Sequence, residues 1–141
     1  MLNLDLSIYQ IFDVYTKEVR SILELAVPVW HSGLSRKETA EIESVQKVAM
    51  KIILQHGYKN YQLACTTLKT ETLEARRTKL CLTFAVKNVK SENCLFDKLN
   101  VNINTRSGGD VVREYACNYG RYKNSSLPYL AKLLNDNNRK S

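Results

Sequence analysis

The stretch SRKETAEIESVQKVAMKIILQHG, residues 35–57, decides the fold. Ser35 followed three residues later by Glu38 is a capping box: the serine oxygen accepts from a first-turn amide while the glutamate reaches back to the serine amide. Ile42, Val45, Ala49, Ile52 and Ile53 then recur at helical spacing, and Gly57 is a natural stop. Glu41, Gln46, Lys47 and Lys51 fall on the opposite face. Acid early and base late complement the helix dipole, so this charge order calls for no functional explanation.

The same periodicity extends in both directions. Upstream, over residues 4–25, Ile8, Ile11, Phe12, Tyr15, Val19, Ile22 and Leu23 form another helical stripe. Pro28 ends that helix, because proline donates no helical hydrogen bond and disfavours helix at the residue before it. Val27, Val29 and Trp30 make an apolar elbow, with Trp30, the only tryptophan, as its core anchor. Downstream, a short helix is expected from Tyr61 to Leu68. Thr72 then caps a fourth, from Leu73 to about Lys90, with Leu73, Leu80, Phe84 and Val89 facing the core.

Residues 94–99 can make one or two helical turns. Residues 100–125 show no sustained period, contain Gly108-Gly109 and read as a loop-rich arm; a strand over VNINT, 101–105, is the alternative. A serine cap at Ser125-Ser126 and Pro128 in the first turn start a last helix through Leu134, beyond which the chain should fray. The expected fold is all-α: four to five helices in a small irregular bundle, with a basic arm before a short last helix. It divides into a thumb-like helical part, 1–99, and the arm with its helix, 100–141, within one structural domain.

The chain has 141 residues and a net charge of +7. That length suits one domain with a real core and is too short for a whole polymerase, kinase or transporter. Residues 1–70 carry 8 basic and 7 acidic side chains, whereas residues 71–141 carry 13 and 7. A basic half points to an anionic partner. No apolar run is long enough to span a membrane, and the first residues lack the basic start of a secretory signal. Cys65, Cys81, Cys94 and Cys117 form no Cys-x-x-Cys pair, so reduced thiols and an intracellular, cytoplasmic or nuclear location are expected.

No catalytic constellation emerges. His31 and His56 lie at a helix junction and a helix end, away from any nucleophile motif. Two-metal phosphoryl transfer needs clustered carboxylates, yet no Asp-Asp or Asp-x-Asp occurs, and Glu41 and Glu43 lie about 200° apart around a helix. No metal site, no cofactor and no independent activity are expected. Two basic groups remain as candidates for nucleic acid. Arg76, Arg77 and Lys79 sit at the start of a helix, where they oppose its dipole. Arg106, Arg113, Arg121, Tyr122 and Lys123 interleave cations with a ring able to stack on bases.

Several segments are distinctive in order and spacing. They are Tyr15, Val19-Arg20-Ser21-Ile22-Leu23-Glu24, and Val27-Pro28-Val29-Trp30-His31-Ser32-Gly33-Leu34. Next come Ile42-Glu43-Ser44-Val45-Gln46-Lys47, Ile52-Ile53-Leu54, Thr72-Leu73-Glu74-Ala75-Arg76-Arg77 and Leu80-Cys81. Arg121-Tyr122-Lys123-Asn124-Ser125 and Pro128-Tyr129 complete the set. Together they resemble the region after the catalytic palm in reverse transcriptases of jockey-like retrotransposons that lack long terminal repeats. The resemblance spans about Tyr15 to Leu134. Glu18 and Leu25 depart from it, since aromatics are more usual there.

What the resemblance implies is a helical thumb and C-terminal region of an RNA-directed DNA polymerase, which holds the template–primer duplex while the palm does the chemistry. The palm's paired aspartates have no counterpart here, so no catalytic residue carries over, and a divalent metal is implied only for the parent's palm. The expected partner is an RNA–DNA duplex or RNA, bound without regard to sequence, and no membrane. Two alternatives are a helical nucleic-acid-binding module adopted by a host and a protein-interaction domain. The latter would self-associate through an exposed first helix around Ile8, Phe12 and Val19.

Overall fold

A computed structural model describes residues 7–90, 101–102, 111–112, 120 and 124–139. The chain is all-α, with a minimal strand pair, and its helices are somewhat more numerous than the four to five expected. It divides into two compact units: residues 1–25 with 35–76, and residues 26–34 with 77–141.

In the first unit, α1 (Ile8–Val14) opens with Ser7 and Gln10 in a second capping box, the Ser7 amide donating to Gln10 Oε1 at 2.8 Å. A π-helical segment, Tyr15–Arg20, follows, and then a short α2, Ser21–Leu23. The expected single helix is thus interrupted. A π turn accommodates one extra residue, which rotates every later side chain by about 100° relative to a straight α-helix. Tyr15 is buried as expected, but Val19 and Ile22 are 40% and 71% exposed. Arg20 and Glu24 turn inward in their place, with 13% and 15% of their side chains exposed.

The helix ends before Pro28. Its last turn closes through Glu24 and a left-handed Ala26 (φ 52°), which belongs to the second unit. Pro28 then lies in the first turn of α3, Val27–Trp30, where a missing amide costs nothing. Proline here starts a helix and does not stop one.

α4 spans Arg36–Leu54 with the predicted cap: Ser35 N donates to Glu38 Oε2 at 2.8 Å, and Glu38 N to Ser35 Oγ at 3.2 Å. Its inward face differs from the expected stripe. Glu43, Gln46, Met50 and Ile53 are buried, while Val45 and Ile52 are exposed. The helix stops at Leu54 because Gln55 adopts φ 43°, two residues ahead of Gly57. α5, Tyr61–Thr67, matches expectation and is capped by Asn60, whose Oδ1 accepts from Leu63 N at 2.8 Å. Tyr15, Met50, Ile53, Ala64, Cys65 and Leu68 form the core of this unit, with Ile11 and Phe12 packed against it.

α6 spans Leu73–Lys90, and Thr72 Oγ1 accepts from Ala75 N at 3.3 Å, as the cap assignment requires. Leu73, Arg77, Cys81 and Ala85 are its buried row, with Leu80 and Phe84 half-buried. The expected placement of Val89 in the core lies outside the described side chains. In the second unit, Cys81 and Ala85 pack with Val27 and with Leu130, Ala131 and Leu134 of α7, Ser126–Asn138. Trp30 packs half-buried against this core, in keeping with its reading as an anchor.

Val101–Asn102 (β1) pairs antiparallel with Val111–Val112 (β2), so part of the segment read as a loop forms a two-residue ladder. α7 continues past Leu134 to Asn138, where fraying was expected, because Asn135 extends the buried row of Leu130, Ala131 and Leu134.

Candidate nucleic-acid interface

The basic cluster at 76–79 does not present three cations together. Adjacent helical residues point about 100° apart. Arg76 turns to Glu24, its Nε 2.5 Å from Oε1 and its Nη2 3.0 Å from Oε2, a two-point pair. Glu24 also faces Arg20 Nε at 3.8 Å, and Arg20 Nη1 donates to Thr70 Oγ1 at 3.2 Å. The bond to Glu24 holds the Arg76 guanidinium above its ordinary pKa, while burial and the neighbouring Arg76 charge push Arg20 down. Arg77 has no exposed surface at all. Its Nε, Nη1 and Nη2 make no hydrogen bond. Lys79 is exposed. Arg106, Arg113, Arg121, Tyr122 and Lys123 lie outside the described residues.

Beside Arg76 runs a buried polar network that sequence reading missed. Gln46 is wholly buried. Its Oε1 accepts from Tyr15 Oη at 3.2 Å, and its Nε2 donates to Tyr61 Oη and to the Glu71 carbonyl, both at 2.9 Å. Tyr61 Oη donates to Glu43, whose carboxylate also accepts from Leu73 N at 3.0 Å and Glu74 N at 3.1 Å. The carboxylate therefore closes the positive N-terminus of α6, placing a negative charge where the helix dipole favours one. Burial pushes the Tyr15 phenol up to about 12; burial and the Glu43 hydrogen bond push Tyr61 higher still. The signal for this site lay in the sequence as Glu43 and Gln46, polar residues three apart on one helical face with two tyrosines available.

The Glu43 carboxylate is taken up by structural hydrogen bonds. Among the described residues no group of three His, Cys, Asp or Glu side chains could hold a metal ion. Burial raises both described thiols, Cys81 to about 11, which keeps them protonated and poorly nucleophilic. His31 packs edge-on against Tyr129, with ring centroids 5.5 Å apart, and His56 is exposed in a short 3-10 turn.

Exposed cations of the first unit lie elsewhere. Lys17 and Lys37 sit in ion pairs with Asp13 at 2.6 Å and Glu41 at 3.9 Å. Lys47 and Lys51, one turn apart on α4, rest over the rings of Tyr61 and Tyr58, 5.3 and 5.7 Å from their centroids. Among the described residues no helix is long and apolar enough to cross a membrane. Set against known families, curated proteins and solved structures, the chain shows no match.

Proposed function

We propose that this chain is a thumb-like, nucleic-acid-holding part of a reverse-transcriptase lineage resembling that of jockey-like retrotransposons, without chemistry of its own. The observation that carries the reading is where the resembling residues fall. Tyr15, Glu24, Glu43, Gln46 and Arg76, and the backbone amides of Leu73 and Glu74, drawn from separate segments, take part in the hydrogen bonds that tie the first unit together, alongside Tyr61, Glu71 and Thr70. Other residues of the resembling segments, Val19, Ile22, Val29, Val45 and Ile52, are exposed. The net charge of +7 supplies the attraction for a phosphate backbone, and no cofactor is needed.

Titration of the chain with unrelated RNA–DNA hybrid duplexes at about 50 mM and about 200 mM salt tests this reading. Binding should be sequence-indifferent and weaken steeply with salt. No binding at the lower salt would overturn it. A second reading, a protein-interaction domain, draws on Ile22 and Leu25, 71% and 72% exposed. Concentration-dependent mass in light scattering, without duplex binding, would favour that reading.

A further inference from the structure

The charge order of α4 accounts for Lys47 and Lys51 as complements of its dipole, but it does not account for what surrounds them. Both are exposed, and both lie over tyrosine rings. Those rings are fixed from beneath. Tyr58 and Tyr61 pack half-buried against the core of the first unit, and Tyr61 is further held by Glu43 and Gln46. Neither lysine forms an ion pair among the described residues, whereas Lys17, Lys37, Arg20 and Arg76 each face a carboxylate.

We infer that Lys47 and Lys51, held over Tyr61 and Tyr58, form the strip on which successive phosphates of one nucleic-acid strand seat. The inference rests on the reading above that the chain holds nucleic acid, and it moves the contact from residues 76–79 to α4.

Three physical points support it. A lysine laid along a fixed ring has fewer rotamers to lose when an anion arrives, so less of the attraction is cancelled by ordering. Its charge stays whole, because a ring face attracts a cation without neutralising it. The two positions are about 6 Å apart along the helix, and a strand advances about 3.4 Å per nucleotide, so phosphates one to two steps apart come within reach of the pair. A fluid anionic membrane gains little from a fixed spacing; a polymer with a regular phosphate repeat gains from it directly. Since the lysines cover the rings, base stacking is not offered here, which agrees with indifference to sequence.

The test compares two charge-matched variants by fluorescence anisotropy on a labelled RNA–DNA hybrid. Lys47→Gln with Lys51→Gln should weaken binding roughly tenfold or more at low salt and flatten the salt dependence by about two phosphate contacts. Lys17→Gln with Lys37→Gln removes the same charge from carboxylate-paired positions and should change affinity less than about threefold. Lys47→Arg with Lys51→Arg should retain binding, and far-UV circular dichroism should be unchanged throughout. If the wild type binds and both glutamine pairs lose affinity equally, or neither does, the strip is wrong while the holding function stands. If the wild type ignores the hybrid at low salt, the holding function fails and the strip with it. Preference for phosphatidylserine vesicles over the hybrid, lost in Lys47→Gln with Lys51→Gln, would reassign the strip to a membrane and overturn the inference.

Discussion

Gln46 uses both hydrogens of its amide and its oxygen inside the first unit, linking α4 to Tyr15, Tyr61 and the chain just before α6. No apolar side chain could make these bonds. Gln46→Ala would remove a donor from the Glu71 carbonyl and leave the buried Tyr15 hydroxyl without its acceptor, while Tyr61 keeps its bond to Glu43. It should cost about 2–4 kcal/mol in urea unfolding, well above the cost of an exposed glutamine. Arg77 is the opposite case. A guanidinium with no exposed surface and no hydrogen bond carries a desolvation cost with nothing in the described residues to offset it. Arg77→Met, of similar length, should raise stability by about 1–4 kcal/mol by the same measurement. A loss of that size would mean that an anion outside the described residues pairs with it.

At the scale of elements, the ends of helices were more legible than their faces. Ser35, Glu38, Thr72 and the Tyr61 start could be read because a cap is a local pattern, complete within four residues. Faces depend on what comes before. The π turn at Tyr15–Arg20 breaks the period without any sequence mark, so Val19 and Ile22 were expected inside and lie outside. On α4 the buried row includes Glu43 and Gln46, which a count of apolar residues assigns to solvent. The basic cluster is spread for a related reason: Arg76 and Arg77 are neighbours in sequence and point in different directions. The α5 stop shows how weak a local signal can be. Lys69 N bonds the Thr66 carbonyl at 3.1 Å and Thr70 N the Cys65 carbonyl at 2.9 Å, a Schellman closure with Lys69 at φ 49°. Glycine is the usual residue there; the stop was expected at Leu68, but lysine gave no sign of the left-handed closure. Lys69→Gly should relieve the left-handed strain and raise the thermal midpoint, by about 0.5–1 kcal/mol in stability.

For the molecule as a whole, the buried tyrosines link folding to alkaline pH. A phenol in the unfolded chain ionises near 10, whereas Tyr15 in the folded chain is pushed up to about 12 and Tyr61 further. Below pH 10 both states hold the proton, and the network contributes in full. Above it the unfolded chain releases protons that the folded chain keeps, so stability falls as pH rises, at about 1.4 kcal/mol per pH unit for each fully responding phenol. Urea unfolding between pH 8 and about pH 11 should therefore show a midpoint that begins to decline near pH 9, where the thiols of Cys65 and Cys81 ionise first in the unfolded chain, and declines more steeply above pH 10 as the phenols join them. Tyr15→Phe lowers the starting stability, since the bond to Gln46 is lost, so the informative quantity is the slope. The variant should decline less steeply than the wild type above pH 10, because one of the two phenols no longer titrates. Equal slopes would mean that Tyr15 ionises alike in both states and that its burial is not maintained in solution.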